Sequence, residues 1–123
     1  MTHKEPLNKE KLQSEMKIII CNVIDRLKDE LGKDYDYDLS EFPKESTYDV
    51  KIKEYGNVRI GEFGLTGYIH NNDVSLKIWW RAPILQSDES HKNYSNFEFD
   101  LHQAESWIFA FVIKNFEHSR KNT

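Results

Sequence analysis

The side chains best equipped for chemistry in this chain are carboxylates, and they cluster in Asp34-Tyr35-Asp36-Tyr37-Asp38. Oxygen donors at alternate positions suit a calcium ion, a hard cation that takes about six to eight oxygen ligands. With Asp34 as the first position of a calcium-binding loop, Asp36 and Asp38 take the third and fifth, and Glu45 the twelfth, where a bidentate carboxylate belongs. Three features oppose that assignment. Leu39 holds the sixth position, where the sharp turn demands glycine, Pro43 interrupts the exit, and the residues after Glu45 alternate as a strand where a helix should leave the loop. No metal is expected, here or elsewhere, and no other cofactor.

Two readings of the acidic segment remain. One is a solvated loop or edge strand, kept from aggregating by its charges. The other is a surface offered to a basic protein. Residues 34–49 hold six carboxylates against Lys44 alone, with Tyr35, Tyr37 and Phe42 interleaved. Tyrosine supplies a large contact area, and carboxylates steer a basic partner onto it. On that reading Asp34, Tyr35, Asp36, Tyr37, Asp38 and Glu41 contact the partner.

Lys77-Ile78-Trp79-Trp80-Arg81 is the second candidate. Strand geometry sends the two tryptophans to opposite faces. If Val74, Leu76, Ile78 and Trp80 face the core, Trp79 and Arg81 share the other face with Ser75 and Lys77. Trp79, Arg81 and Arg59 then form an alternative ligand site, in which an exposed indole beside cations stacks on a base. The plainer expectation is that Trp79 lies beneath the loop after the strand or against a second subunit. The histidines (His3, His70, His91, His102 and His118) show no metal-ligand spacing, and the His102–Glu105 pair lacks an evident nucleophile. Gly56, Gly61, Gly64 and Gly67 lie among strands and not before a helix, so no phosphate loop is present. An enzyme is not expected.

The elements that must position these residues follow from hydrophobic period. Leu12, Met16, Ile19, Ile20, Val23, Ile24, Leu27 and Leu31 form one helical stripe, with Asn8 as N-cap and Gly32 as the stop. Cys21 falls inside that pattern and reads as a small buried residue. Beyond the acidic segment the period becomes two: Tyr48, Val50 and Ile52 mark one strand. Tyr55-Gly56-Asn57 marks a turn. Val58, Ile60, Phe63, Leu65 and Ile69 mark a second strand, with a bulge at Gly61 where the alternation slips. Asn71-Asn72-Asp73 marks another turn, and Val74, Leu76, Ile78 and Trp80 a third strand, ended by Pro83. Residues 86–96 read as a mobile loop, and Phe97 and Phe99 as a short fourth strand. Asp100 caps a last helix whose stripe is Leu101, Ala104, Trp107, Ile108, Phe111, Val112 and Phe116. Phe109, Ala110 and Ile113 widen that stripe, so this helix is central to the fold or half of a homodimer interface.

The expected fold is therefore α+β: an N-terminal helix, an antiparallel meander of three to four strands and a C-terminal helix, with both helices on one face. The chain's 123 residues make one domain, with polar ends at 1–7 and 118–123 expected to fray. The element order resembles that of double-stranded-RNA-binding domains. Those domains meet phosphates with a basic cluster at the start of the last helix, whereas this helix opens with Asp100 and Glu105. Together with a net charge of −4, that excludes nucleic acid as the partner. One cysteine excludes an internal disulfide. The opening residues lack the pattern of a secretion signal, and no apolar run is long enough to span a bilayer, so the cytoplasm is the expected compartment. The function expected is that of a small acidic binding protein acting by inhibition. A bacterial immunity protein or antitoxin that neutralises a basic, nuclease-like toxin is the type. The alternative is a homo-oligomeric protein that sequesters a nucleotide-like ligand.

Overall fold

A computed structural model describes residues 7–54, 58–71, 73–83, 87–95 and 99–121. Helix α1 (Lys9–Leu31) starts where Asn8 Oδ1 accepts from the Lys11 amide at 2.8 Å, and it ends at Gly32, whose φ of 86° suits glycine. Leu12, Met16, Ile19, Ile20, Val23, Ile24 and Leu27 are buried along one side. Cys21 is exposed, contrary to expectation. At 100° per residue it falls on the side opposite the stripe, beside exposed Ile18 and Asp25.

Five antiparallel strands follow: β1 (Tyr35–Phe42), β2 (Thr47–Glu54), β3 (Val58–His70), β4 (Asp73–Arg81) and β5 (Ser87–Ser95). They pair in the order β1-β2-β3-β4-β5. The sheet therefore exceeds the expected three to four strands, and it gains one on each side. The acidic segment is the edge strand β1, joined to β2 through a 3-10 turn at Pro43–Glu45 and a left-handed Ser46. Residues 87–95 form the opposite edge, β5, where a loop was expected. Its sequence, Ser-Asp-Glu-Ser-His-Lys-Asn-Tyr-Ser, has little strand propensity, and pairing with β4 along its whole length overrides that. Its inward positions find polar partners on the next helix: Asp88 accepts from Asn115 Nδ2 at 3.3 Å and lies 3.7 Å from Lys114 Nζ.

The bulge falls one residue before the glycine expected to hold it. Ile52 pairs with Gly61 and Lys53 with Arg59, which leaves Ile60 as the extra residue. Asn71 has φ of 55°, as its turn requires. The Tyr55–Asn57 turn, Phe97 and residues 1–6 lie outside the described residues; Phe99 belongs to no strand but is buried against Tyr94, with the rings edge to face at 5.3 Å.

Helix α2 (Leu101–Lys121) is capped by Asp100, whose Oδ1 accepts from the amides of His102 at 2.8 Å and Gln103 at 3.2 Å. It runs on through 118–121, where fraying was expected. Ser119 is buried there and accepts from Trp80 Nε1 at 3.0 Å; Leu7 at the other end is buried too. The broad apolar surface of α2 is met on both flanks. The Arg26 guanidinium of α1 lies 4.1 Å from the Phe109 ring centroid, and Lys92 Nζ of β5 lies 5.9 Å from that of Trp107. Both helices lie on one face of the sheet and close a single core with Val50, Ile52, Phe63, Leu65, Ile78 and Trp80. Among the described residues the other face carries no helix.

Candidate functional site

Strand alternation divides the acidic segment between the two faces of the sheet. Tyr35 and Tyr37 pair with Glu54 and Ile52 on the helix side, while Asp36 and Asp38 pair with Lys53 and Lys51 on the open side. The Tyr35 ring meets Phe116 edge to face at 5.3 Å. The Tyr37 hydroxyl is buried with no hydrogen-bond partner, and burial pushes its pKa up to about 12. The two tyrosines therefore serve mainly the core, and the carboxylates make the surface. Asp34, Asp36, Asp38 and Glu41 are all exposed. Lys53 Nζ holds Asp38 at 2.7 Å and Lys17 Nζ of α1 holds Glu41 at 3.1 Å; among the described residues no cation lies within ion-pair reach of Asp34 or Asp36. Phe42, at the end of β1, is 43% exposed on the open face. An extended strand also separates the carboxylates that a calcium loop would gather, with Glu45 in the 3-10 turn beyond it.

Tyr37→Phe tests the packing of this edge. An unpartnered buried hydroxyl costs about 1–3 kcal/mol when nothing replaces its water, so phenylalanine is expected to be neutral or stabilising. Because the folded-state pKa is raised, the neutral phenol's contribution is whole below pH 10 and is lost as pH rises toward 12. Alkaline unfolding followed by circular dichroism should shift to higher pH in Tyr37→Phe; an unchanged midpoint would place the hydroxyl in water.

The open face holds a second feature, a shallow depression of about 610 Å³ lined by Thr47, Thr66, Lys77, Trp79, Arg81 and Glu89, among others. Trp80 points into the core and is fully buried; Trp79 is half-buried on the open face. Because 87–95 is a strand, Trp79 stands beside Glu89 in the sheet. Its indole rests on Gly64, where an added Cβ would land inside the ring. The Arg81 guanidinium covers the ring at 4.6 Å from a centroid, so a base seeking to stack there competes with the protein's own cation. Arg59 is exposed across from Lys53, two cross-strand rows from the pair of Gly64 and Trp79. The three residues of the expected ligand site are therefore split: Trp79 and Arg81 touch, and Arg59 stands apart.

Charge on the open face is ordered by register. Asp38 pairs with Lys51, Lys51 with Glu62 and Glu62 with Arg81, one row of alternating sign across four strands. Burial, followed by the Glu62 charge, raises the pKa of Asp49 on the neighbouring row. The histidines do not converge: His102 is exposed, Glu105 is held by Arg26 at 3.3 Å, and His91 Nε2 lies 3.5 Å from Glu89. Among the described residues no group of three His, Cys, Asp or Glu side chains is placed to hold a metal ion.

The role of the glycines in β3 was not read from the sequence. Gly61 seats Trp80 and Gly67 seats Met16 on the helix side, while Gly64 seats Trp79 on the open side. A signal existed: three glycines spaced by three in one strand, followed by a strand with two adjacent tryptophans, suit close aromatic approach to bare backbone.

No family model, curated protein or solved structure matches this chain. Among the described residues no helix is long and apolar enough to cross a membrane.

Proposed function

We propose that this chain is a cytoplasmic binding protein that inhibits a basic protein partner, in the manner of a bacterial immunity protein or antitoxin capping a nuclease-like toxin. The observation that carries the reading is the β1 edge. It is an outermost strand with Asp36, Asp38 and Glu41 exposed, Asp34 exposed in the turn just before it, and no base within it. Edge backbone groups without a strand neighbour add a partner strand or loop by hydrogen bonding, and the carboxylates choose a cationic one. The contact surface on this reading comprises Asp36, Asp38 and Phe42 on the open side, Asp34 just ahead of the strand and Glu41 on its helix side, with Tyr35 and Tyr37 packed against the core. Such a surface works by occupying a cleft that otherwise binds phosphates, and it needs no chemistry of its own.

The ligand-sequestering alternative rests on the depression beside Trp79, and the Arg81 cover on that ring favours it less. The discriminating experiment is capture of partners at low salt with the wild-type chain and with the Asp34→Ala/Asp36→Ala/Asp38→Ala variant. A basic partner should be recovered by the wild type, with an association rate that falls steeply with salt and drops by about tenfold or more in the variant. Unchanged binding by the variant, or nucleotide-dependent thermal stabilisation of the free protein, would overturn the proposal.

A further inference from the structure

The second edge of the sheet differs from the first in one respect that points to its occupant. Residues 88–92 read Asp-Glu-Ser-His-Lys, two acids and two bases placed symmetrically about Ser90. Together they form the middle of β5, which among the described residues has β4 on one side and no strand on the other. We infer that β5 is a self-association edge, on which a second copy of this chain pairs antiparallel about Ser90 to continue the sheet.

Register decides which residues of two such strands meet. Directly opposed residues in an antiparallel pair share a face, so a symmetric pairing must centre on a residue, and each choice of centre fixes every cross-strand contact. Centred on Ser90, Glu89 meets His91 of the partner subunit on the open face, and Asp88 meets Lys92 of the partner subunit on the helix face. The twofold axis repeats both contacts. Centring on Glu89 opposes two glutamates, on Lys92 two lysines, on Asp88 two aspartates and on His91 two histidines. The Ser90 register is the one among these five in which no ionisable side chain faces its own kind. Like charges directly opposite are destabilising and opposite charges favourable, so electrostatics favours the Ser90 alignment over the four centred on its charged neighbours.

The neighbouring side chains suit the seam. Glu89 and His91 are exposed, and they already lie 3.5 Å apart along the strand, within reach of a facing strand. Asp88 is held by Asn115 and Lys114 on α2 and keeps acceptor capacity for one more cation. Exposed Ala110 and half-buried Ile113 of α2 border the groove of about 650 Å³ beside Asp88, so apolar surface flanks the helix side of the edge. The β1 edge offers no such self-match, since Asp36, Asp38 and Glu41 face no base from their own strand in any symmetric register. This inference is independent of the partner proposed for β1.

The test begins with sedimentation velocity of the intact chain, which should show a dimer as concentration rises. Cross-linking then reads the register. In a Cys21→Ser background, Ser90→Cys should give a disulfide dimer on mild oxidation, because opposed residues have Cα atoms about 4.5–5.5 Å apart, within disulfide range. Asn93→Cys should not, since the two copies of that position then lie about 20 Å apart. Glu89→Lys should weaken the dimer roughly tenfold, as both contacts to the partner subunit's His91 lose their carboxylate, and Glu89→Lys/His91→Glu should restore it. A monomer at all concentrations, equal cross-linking at positions 90 and 93, or a dimer indifferent to both charge variants would overturn the inference. The last outcome would move association to α2 or to β1.

Discussion

Alanine in place of Trp80 is expected to cost about 3–5 kcal/mol, the usual loss for a large aromatic deleted from a packed core. Trp80 is fully buried, and its indole N–H donates to Ser119 Oγ at 3.0 Å, which ties β4 to the last turn of α2. Domains of this size have about 5–15 kcal/mol in total, so the variant should unfold at a much lower urea concentration, or not fold at all at body temperature. Trp80→Phe keeps most of the volume and loses the hydrogen bond, so its cost should be about 1–2 kcal/mol. Equal losses for the two variants would mean that the hydrogen bond, and not the ring, anchors the helix end.

The second large effect belongs to Gly61. A methyl group there would enter the space of the Trp80 ring, which has no room to retreat in a closed core. Gly61→Ala should cost about 1–3 kcal/mol or more, as overpacking does. The cause is checked by a double-mutant cycle. In a Trp80→Leu background the shorter side chain vacates the contact, and the added cost of Gly61→Ala should fall below about 1 kcal/mol. If the two losses simply add, backbone conformation and not the ring is the reason for glycine. The same substitution at Gly64 meets Trp79 on the open face, where the indole can swing into solvent, so its cost should be the smaller of the two.

How far the sequence could be read depended on whether each residue's surroundings were local. The α1 stripe and the alternation of β2 and β4 follow from periodicity and the Asn8 and Asp100 caps from residue type, and all stand in the fold; which of Trp79 and Trp80 turns inward is not fixed by alternation alone. β5 was missed because its signal is not in its own residues. Tyr94 is its buried aromatic, and the partners that let Asp88 and Lys92 face a helix belong to α2, more than ten residues on. Cys21 was misplaced because an apolar neighbourhood in sequence is not one in space when the helix turns 100° per residue. In the acidic segment a strand was one reading beside a loop, and the division of roles was not legible. Period two implies that tyrosine and aspartate part company, but only the position of the helices shows which of them remains outside. The glycine seats needed the register between β3 and β4, which no single strand contains.

The acidity of β1 has a bearing on growth as well as on recognition. A sheet open at both sides is a monomer with two valences, and identical valences polymerise into fibrils. Here the two ends are unlike. Once β5 is matched, the outermost strands of the assembly are both copies of β1, each lined with Asp36 and Asp38, and each repels its equivalent on the next assembly. The strand proposed to select a foreign cationic chain would thus also act as a chain terminator toward its own kind.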